Sequence, residues 1–415
     1  MVFGTISRHA GKSAGNLLRN MSASGDLARG LATQLPELEI INPGGSKRVV
    51  VTKDLPGDRW HKALVKADCR VEVCSKSKDI LSVETIKTLI GSKCDGVIGQ
   101  LTEDWGDELF GALKAAGGTA YSNYAVGYNN VDVPAATKHG IPVGNTPGVL
   151  TETTAELAAA LTLAAARRVV ESDYFMRGGK YEGWLPNLFV GSLLQHKTVG
   201  IIGAGRIGSA YAKMMVEGHK MDLVYYDPYP NKNLEKYMKA YGDLQESFGE
   251  RRITCTRLAT PEDVLKEADV VSLHCNLDEN TTHLINKERL ALMKKDAVLV
   301  NAARGPVIDE VALVSHLQAN PQFRAGLDVF EDEPLMKPGL AECMNAVIVP
   351  HIASASLWTR GGMATLAGCN VAARLSGYPV WGDTDISAFV DGPFDDIPKA
   401  SPSIVNAKDL GLPKM

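Results

Sequence analysis

The sequence lacks several features that would place the protein in a special class. No apolar run approaches the roughly 20 residues that a membrane-spanning helix needs. The net charge is only −4, which gives no reason to expect a nucleic acid or an anionic membrane as partner. No internal repeat occurs at a solenoid period. What remains is a chain of 415 residues, 45% hydrophobic and 22% charged, the composition of a globular protein with two or three domains.

The sequence contains few cysteines, and their spacing fits no known disulfide or metal-binding pattern. The chain has seven cysteines, an odd number, and they are scattered without a tight C-x-x-C pair. No set of cysteines and histidines has zinc-finger spacing, so no metal site is expected. The pattern is typical of free thiols in a reducing compartment.

Residues 1–36 have few acidic residues and differ from the rest of the chain. They carry four basic residues and four serines but only one acid, Asp26. An Arg-rich, Ser-rich and acid-poor N-terminus is typical of an organellar transit peptide. We therefore expect a transit peptide over residues 1–36, and a mitochondrial location with plastid and peroxisome as the alternatives.

From about residue 47, short β-branched runs alternate with helical stretches. The runs KRVVVT, CRVEVC and DGVIGQ predict the first strands, and this alternation predicts a parallel sheet with helices on both faces. Residues 146–172 read as one long helix with Thr151 as its N-cap. A second alternating series begins at KTVGIIGAGRIG, and the tail after Tyr378 reads as loop or extended chain. The predicted fold is α/β with two doubly wound, Rossmann-like domains.

The segment VGIIGAGRIG contains the pattern Gly203-x-Gly205-x-x-Gly208 between a predicted strand and a predicted helix. In this context Gly203 permits a tight turn, Gly205 allows a pyrophosphate to approach, and Gly208 allows close helix–strand packing. The phosphates would meet free N–H groups near Arg206 and Ile207.

An acid follows the glycine motif at the expected distance. Asp227 lies 19 residues after Gly208, at the end of the next predicted strand. A carboxylate there binds the ribose hydroxyls and repels a 2′-phosphate, which predicts NAD(H) as the cofactor. Because about 150 residues of α/β sequence precede the motif, we expect the cofactor domain to be inserted into a discontinuous, flavodoxin-like substrate domain. The expected bounds are 47–150 and 350–385 for the substrate domain, 151–349 for the cofactor domain and 386–415 for an extended tail.

Polar residues follow three of the later predicted strands. These are Arg304, then Asp328 with Glu333, then His351. Ligands bind beyond the carboxyl ends of strands in such sheets, so these side chains are expected in one crevice. Arg304 suits a substrate carboxylate. His351 can donate a proton to a carbonyl oxygen as hydride arrives, and Glu333 can stabilise the charged imidazole and fix its tautomer.

Four segments together resemble signatures of the D-isomer-specific 2-hydroxyacid dehydrogenase family: VGIIGAGRIG, VNAARGPVID, GLDVFEDEP and PHIASAS. They occur in order, and the resemblance covers roughly residues 47–380. It implies Arg304 as carboxylate binder, Glu333 as partner and His351 as acid/base. It also implies that four further residues contact the cofactor: Thr154, Asn276, Ala303 and Asp328. Of these, Asp328 would contact the carboxamide of the nicotinamide.

Within this family, the loops at 96–106 and 122–133 resemble those of the hydroxypyruvate reductases of the photorespiratory glycerate pathway. This resemblance implies NADH-dependent reduction of hydroxypyruvate to D-glycerate, with glyoxylate as a side substrate. It implies substrate contacts near Leu101, Val126 and Gly127, and Trp358 is a further candidate for the pocket. Two alternatives stay open: another enzyme of the family, such as a 3-phosphoglycerate dehydrogenase, and a dinucleotide-sensing corepressor-like scaffold.

Two further expectations come from comparison with family members. The segment 153–170 resembles the family's dimer-building helix, which implies a homodimer. The chain ends in LPKM, a poor match to the Ser-Lys-Leu signal of the plant-type enzymes. This mismatch strengthens the expectation of a mitochondrial location.

Overall fold

The computed structural model describes residues 36–75 and 79–415. The expected transit peptide therefore lies, except for its last residue, outside the described residues, and that expectation stays a prediction. The described chain forms two β-sheets, each with helices on both faces. The α/β fold class with two doubly wound domains is confirmed.

The first sheet has six strands in the order β1-β3-β2-β4-β5-β6. Counted from β2, the five parallel strands have the order 2-1-3-4-5 of a flavodoxin-like sheet. The elements of this part are β1 (Leu38–Ile41), β2 (Lys47–Val51), α1 (Arg59–Lys66), β3 (Cys69–Cys74), α2 (Val83–Ile90), β4 (Gly96–Gly99), α3 (Asp107–Ala115), β5 (Ala120–Asn123), α4 (Val133–Lys138) and β6 (Val143–Gly144).

The second sheet has seven strands, all parallel, in the order β13-β12-β11-β10-β7-β8-β9. The order reverses between β7 and β10, so a crevice opens at their carboxyl ends. Two helices, α5 (Thr151–Ala166) and α6 (Val169–Arg177), lead into this part. Its remaining elements are β7 (Thr198–Ile202), α7 (Arg206–His219), β8 (Asp222–Tyr226), α8 (Lys232–Ser247), β9 (Cys255–Arg257), α9 (Pro261–Glu267), β10 (Val270–Leu273), α10 (Lys287–Leu290), β11 (Val298–Asn301), α11 (Glu310–Ala319), β12 (Arg324–Leu327) and β13 (Ala346–Ile348).

After β13 the chain returns to the first sheet. Helix α12 (Leu357–Leu375) packs on α1 and on β4 and β5, and contributes Ala364, Ala367 and Val371 to the core on that face. The tail then contains a short helix, α13 (Ser387–Val390). Beyond it the tail pairs with β6, since Ile404 forms an antiparallel bridge with Gly144. The first part of the chain is thus completed by its last part.

Two features of the fold differ from the sequence-based expectation. Strand β1 adds to the sheet edge antiparallel to β3 and was not predicted. The single helix expected over 146–172 is two helices, because Arg168 adopts the left-handed region at φ 57°. The carbonyl of Ala166, at the end of α5, accepts a hydrogen bond from the N–H of Ser192 at 2.9 Å. The N-cap of α5 is Leu150 rather than Thr151.

Candidate functional site

The glycine motif forms the turn between β7 and α7, and its three glycines have different surroundings. Gly203 has φ +96°, and a Cβ on it would lie 2.7 Å from the backbone nitrogen of Cys275. A Cβ on Gly208 would lie 2.1 Å from the carbonyl oxygen of Gly203. A Cβ on Gly205 would meet no atom of residues 36–75 or 79–415 within 4 Å. The turn is therefore closed on the protein side and open beside Gly205, as a pyrophosphate at a helix N-terminus requires.

Asp227 follows β8 and is tied to the glycine turn. One carboxylate oxygen accepts the N–H of Ala204 at 2.9 Å, and the other accepts the N–H of Tyr229 at 2.9 Å. Each oxygen keeps further acceptor capacity. The carboxylate is therefore fixed at the place where the ribose of a bound dinucleotide is expected, with room to accept more hydrogen bonds.

The other cofactor candidates lie along the same edge of the second sheet. Asn276 follows β10, Ala303 follows β11 and Asp328 follows β12, while Arg206 and Ile207 open α7. The N–H of Ala303 donates to Oδ1 of Asn301 at 3.0 Å. Thr154 is buried in α5, a helix that contacts β11 and β12. Because the carboxyl ends of parallel strands lie at one edge of the sheet, the candidate residues that follow strands lie around a single crevice.

His351 and Glu333 form a hydrogen-bonded pair at this edge. Nδ1 of His351 lies 2.8 Å from Oε2 of Glu333, and their side chains are 29% and 28% exposed. Oε1 of Glu333 accepts the N–H of Phe330 at 3.0 Å. His351 adopts a left-handed backbone conformation at φ 51°, and its N–H donates to the carbonyl of Asp328 at 2.9 Å. The second ring nitrogen, Nε2, is thereby left as the one that can face a substrate.

The electrostatics of this pair favour an ionised carboxylate. Burial alone would raise the pKa of Glu333, but the hydrogen bond and charge of His351, the N–H of Phe330 and the charge of Arg304 lower it below its ordinary value. Because its pKa is lowered, the carboxylate stays charged at pH values below its ordinary titration range. The stability that the charged Glu333 carboxylate contributes is lost as the pH falls through the lowered pKa.

Arg304 extends from the end of β11 to the loop after β5. Its Nε donates to Oδ1 of Asn129 at 3.0 Å, and its Nη1 donates to the carbonyl of Ala303 at 2.7 Å. A Cβ on Gly127 would lie 1.9 Å from Nη2 of Arg304, so only glycine fits beside the guanidinium. Burial lowers the pKa of Arg304, which the charge of Glu333 partly offsets, and the group stays charged because its ordinary pKa is so high.

The two predicted substrate loops are joined by a polar side chain, the half-buried Asn130. Nδ2 of Asn130 donates to the carbonyls of Gln100 and Glu103, at 3.1 and 2.9 Å, on either side of Leu101. Oε2 of Glu103 accepts the N–H of Gln100 at 3.0 Å, and burial raises the pKa of this carboxyl. Leu101 is thus carried by a turn that is fixed to the loop containing Val126 and Gly127.

Asp328 and Trp358 make contacts that the sequence did not indicate. Asp328 is fully buried, and its carboxylate accepts the N–H groups of Ile352 and Ala353 at 2.6 and 2.9 Å. Burial raises its pKa. Asp328 therefore shapes the loop that carries His351, and its contact with a nicotinamide stays a prediction. Trp358 lines a cavity of about 290 Å³ together with Arg206 and Ile386, and Arg304, Glu333 and His351 are not among the residues that line it.

Glu310 is a site residue that the sequence reasoning missed. It is buried at the start of α11, and its two oxygens accept the N–H groups of Glu331 and Lys337, each at 2.7 Å. These two residues bracket Glu333, so one carboxylate holds both ends of the segment that carries the partner of His351. The sequence signal at this place, Asp309 followed by Glu310, reads only as an ordinary helix start.

Within residues 36–75 and 79–415, no cluster of three or more His, Cys, Asp or Glu side chains could hold a metal ion. In the same ranges no helix is both long and apolar enough to cross a membrane.

Comparisons with known proteins identify the class. The NAD-binding domain of the D-isomer specific 2-hydroxyacid dehydrogenases matches residues 159–353. A glycerate dehydrogenase of Cucumis sativus is 65% identical over 90% of this chain and 98% of its own length. A peroxisomal glycerate dehydrogenase of Arabidopsis thaliana is 65% identical over 91% of this chain and 97% of its own. The chain therefore belongs to the D-isomer specific 2-hydroxyacid dehydrogenase family, and it carries that family's NAD-binding domain.

More distant relatives share the fold. A glyoxylate reductase of Pyrococcus horikoshii is 40% identical over 80% of this chain and 93% of its own length. A crystal structure of a Thermus thermophilus protein superposes with a TM-score of 0.71 at 36% identity, covering 86% of this chain and 99% of that one. The family resemblance inferred from the four motifs is confirmed.

The comparison corrects the expected location. The Arabidopsis relative is named as peroxisomal, so the mitochondrial location expected from the N-terminus is wrong. The expectation failed because an Arg-rich, acid-poor composition is shared by many N-terminal extensions and carries no specific contact that identifies an organelle.

We expect Glu310→Gln to lower kcat for the reduction by about 10- to 100-fold, with little change in the KM for NADH. The amide NH₂ group of glutamine would face the N–H of Glu331 or of Lys337, and two donors cannot bond to each other. The segment that carries Glu333 would shift, and catalysis is sensitive to such a shift. Steady-state kinetics with the 2-oxo acid and with NADH varied in turn would measure kcat and both KM values. Asp309→Asn is the matched control, because Asp309 only caps α11 through the N–H of Ala312 and asparagine caps equally well. Equal kcat values for the two variants would contradict the role of Glu310.

Proposed function

We propose that this chain reduces hydroxypyruvate to D-glycerate with NADH, and glyoxylate to glycolate as a side activity. One observation carries the proposal: Arg304 of the second sheet and Gly127 of the first sheet touch each other in the crevice that also holds the His351–Glu333 pair. A carboxylate binder beside an acid/base pair suits a 2-oxo acid. The names of the two plant relatives, both glycerate dehydrogenases, support the choice of substrate.

In this reaction each residue of the site has a separate role. Arg304 and the N–H groups of the Val126–Gly127 loop bind the substrate carboxylate and fix the orientation of its carbonyl. The reduced dinucleotide supplies the hydride. Nε2 of His351 donates a proton to the carbonyl oxygen, and Glu333 at Nδ1 stabilises the charged ring and fixes its orientation. In the reverse direction the same nitrogen accepts the proton.

We propose that Asp227 makes NADH the preferred cofactor over NADPH. Its carboxylate is positioned by Ala204 and Tyr229 and would repel a 2′-phosphate. One cation is close: Nη2 of Arg257 donates to the carbonyls of Asp227 and Pro228, at 2.9 and 3.1 Å. These carbonyls use Nε and Nη2 of Arg257, so we expect the Asp227 carboxylate to dominate the cofactor preference.

We propose two further properties. The substrate-binding domain comprises residues 47–150 and 350–385, the cofactor-binding domain residues 151–349, and the tail residues 386–415. The packing of α12 and of the tail on the first sheet supports this division. For location, the name of the Arabidopsis relative favours the peroxisome.

A homodimer is proposed from an apolar surface on α6 and the segment after it. Helix α6 has no buried residue, although Phe175 packs on Phe189 and Arg168 lies over the Phe189 ring. A series of large hydrophobic side chains in this region is exposed: Val169, Val170, Tyr174, Met176, Tyr181, Trp184, Leu185, Val190 and Leu193. Apolar surface of this extent is typical of an interface, and a second copy of the chain is the expected partner.

The substrate is tested by the rate of NADH oxidation with hydroxypyruvate, glyoxylate, pyruvate and 3-phosphohydroxypyruvate offered separately. We expect the highest kcat/KM with hydroxypyruvate, and a loss of about 10²- to 10⁴-fold in His351→Ala. His219→Ala is the control, since His219 lies at the far end of α7, about 20 Å from the glycine turn. A preference for the phosphorylated substrate would move the enzyme to another reaction of the family. Cofactor binding without any turnover would favour a dinucleotide-sensing scaffold.

For the cofactor, Asp227→Asn should lower the ratio of kcat/KM for NADH to that for NADPH by about tenfold or more. The substitution removes the charge that repels a 2′-phosphate but keeps an acceptor for the ribose. The KM for hydroxypyruvate, measured with saturating NADH, serves as the control and should not change. An unaltered cofactor ratio would show that another group sets the preference.

Leu185→Asp should reduce the dimer to a monomer, because a charge would be buried in the proposed interface. The molar mass in solution, from light scattering after gel filtration, would measure this. Val311→Asp is the matched control, since Val311 is equally apolar and exposed but lies on α11. If the wild-type chain is a monomer, or if both variants dimerise, the interface is wrong.

A further inference from the structure

The peptide groups of the loop at 126–128 are held from behind by two asparagines. Nδ2 of Asn145 donates to the carbonyl of Val126 at 2.9 Å, and Nδ2 of Asn123 donates to the carbonyl of Gly127 at 3.1 Å. Asn123 is fully buried and Asn145 nearly so. Both carbonyls are therefore turned toward the substrate domain and away from a bound anion.

The orientation of these carbonyls determines the orientation of the N–H groups. The peptide between Val126 and Gly127 is trans, so its N–H points opposite to its C=O. Because the Val126 carbonyl accepts a hydrogen bond from Asn145, the N–H of Gly127 points away from Asn145. The α-carbon of Gly127 faces the guanidinium of Arg304. Among the described residues, neither the Val126 nor the Gly127 N–H has an acceptor.

Asn145 is itself oriented by the C-terminal tail. The hydroxyl of Ser403 donates to Oδ1 of Asn145 at 2.6 Å, which leaves Nδ2 of that amide directed at Val126. Nδ2 of Asn370, on α12, donates to the carbonyl of Asn145 at 2.9 Å, and Oδ1 of Asn370 accepts the N–H of Ser403 at 2.9 Å. The three residues form a closed polar cluster in a largely buried setting, where an amide with an unmade hydrogen bond is destabilising.

The tail residue is held in place independently of this cluster. Just after Ser403, the N–H of Val405 donates to the carbonyl of Val143 at 2.8 Å. Oδ1 of Asn406 accepts the N–H of Val143 at 2.9 Å, and its Nδ2 donates to the carbonyl of Ile141 at 3.0 Å. These bonds fasten the tail along β6, so the position of the Ser403 hydroxyl does not depend on its contact with Asn145.

We propose that Ser403 and Asn145 are positioning residues for the substrate site, through which the C-terminal tail orients the Val126–Gly127 peptide. With the peptide in this orientation, the N–H of Gly127 and the guanidinium of Arg304 together face the carboxylate of the 2-oxo acid. If the peptide turned over, the Val126 carbonyl would meet that carboxylate and repel it. The inference rests on the proposed function, because it assigns a role within the same site.

The test compares Ser403→Ala with Ser401→Ala. Ser401 lies in the same tail, and its buried hydroxyl has no hydrogen-bond partner among the residues that the structure describes, so its removal controls for the loss of a hydroxyl. We expect Ser403→Ala to lower kcat/KM for hydroxypyruvate about tenfold, the effect of one hydrogen bond, mainly through a higher KM. The KM for NADH and the midpoint of thermal unfolding should match those of Ser401→Ala. Ser403→Thr, which keeps the hydroxyl, should recover most of the loss.

A second measurement does not depend on activity. In a crystal structure of Ser403→Ala, the Asn145 amide should leave the Val126 carbonyl, and the peptide should occupy the reversed orientation at least in part. Kinetics equal to those of Ser401→Ala, or a Val126 peptide unchanged in the crystal, would overturn the inference. A wild-type enzyme without reductase activity would instead overturn the proposed function, and the crystal structure would still decide whether the tail orients the peptide.

Discussion

The contact between Arg304 and Gly127 is the constraint on which the site depends. Arg304 is carried by the second sheet and Gly127 by the first, and no side chain fits between them. A guanidinium placed there can bind a carboxylate through parallel hydrogen bonds only if the opposite loop leaves room and offers donors. The absence of a side chain at Gly127 gives the room, and the orientation of its peptide gives the donor. The proposed substrate site between the sheets is thus suited to one small anionic group.

Buried polar side chains hold the backbone of each functional segment. Asp328 accepts two N–H groups from the segment that follows His351, and Glu310 accepts two from the segment around Glu333. Asn145 and Asn123 hold two carbonyls of the substrate loop. In each case the polar group acts on backbone near the reacting groups, which fixes geometry without competing for the substrate. A displacement of about 1 Å in such a segment is enough to lower catalysis strongly.

The parts of this structure that could be predicted from sequence are those with a local signal. The glycine turn, the strands before Asp227 and Arg304, and the histidine after β13 each lie within a short pattern of strand, turn and polar residue. The break at Arg168 has no such signal, since an arginine can adopt φ near 57° at a modest energetic cost and no glycine or proline marks it. The link from Ser403 to Asn145 joins residues 258 positions apart. Neither residue is unusual in its own segment, and only the fold brings them together.

The charge of the site also bears on which acids it accepts. The loops at 96–106 and 122–133 contain no Arg or Lys, so the donors they offer are neutral N–H groups. One guanidinium with neutral donors balances one carboxylate. A second anionic group on the substrate would enter the half-buried crevice with no cation from either loop, and an uncompensated charge there is strongly unfavourable. A small, singly charged 2-oxo acid therefore fits the electrostatics of these loops better than a phosphorylated one. The neutral hydroxymethyl group of hydroxypyruvate adds hydrogen-bonding capacity without adding charge.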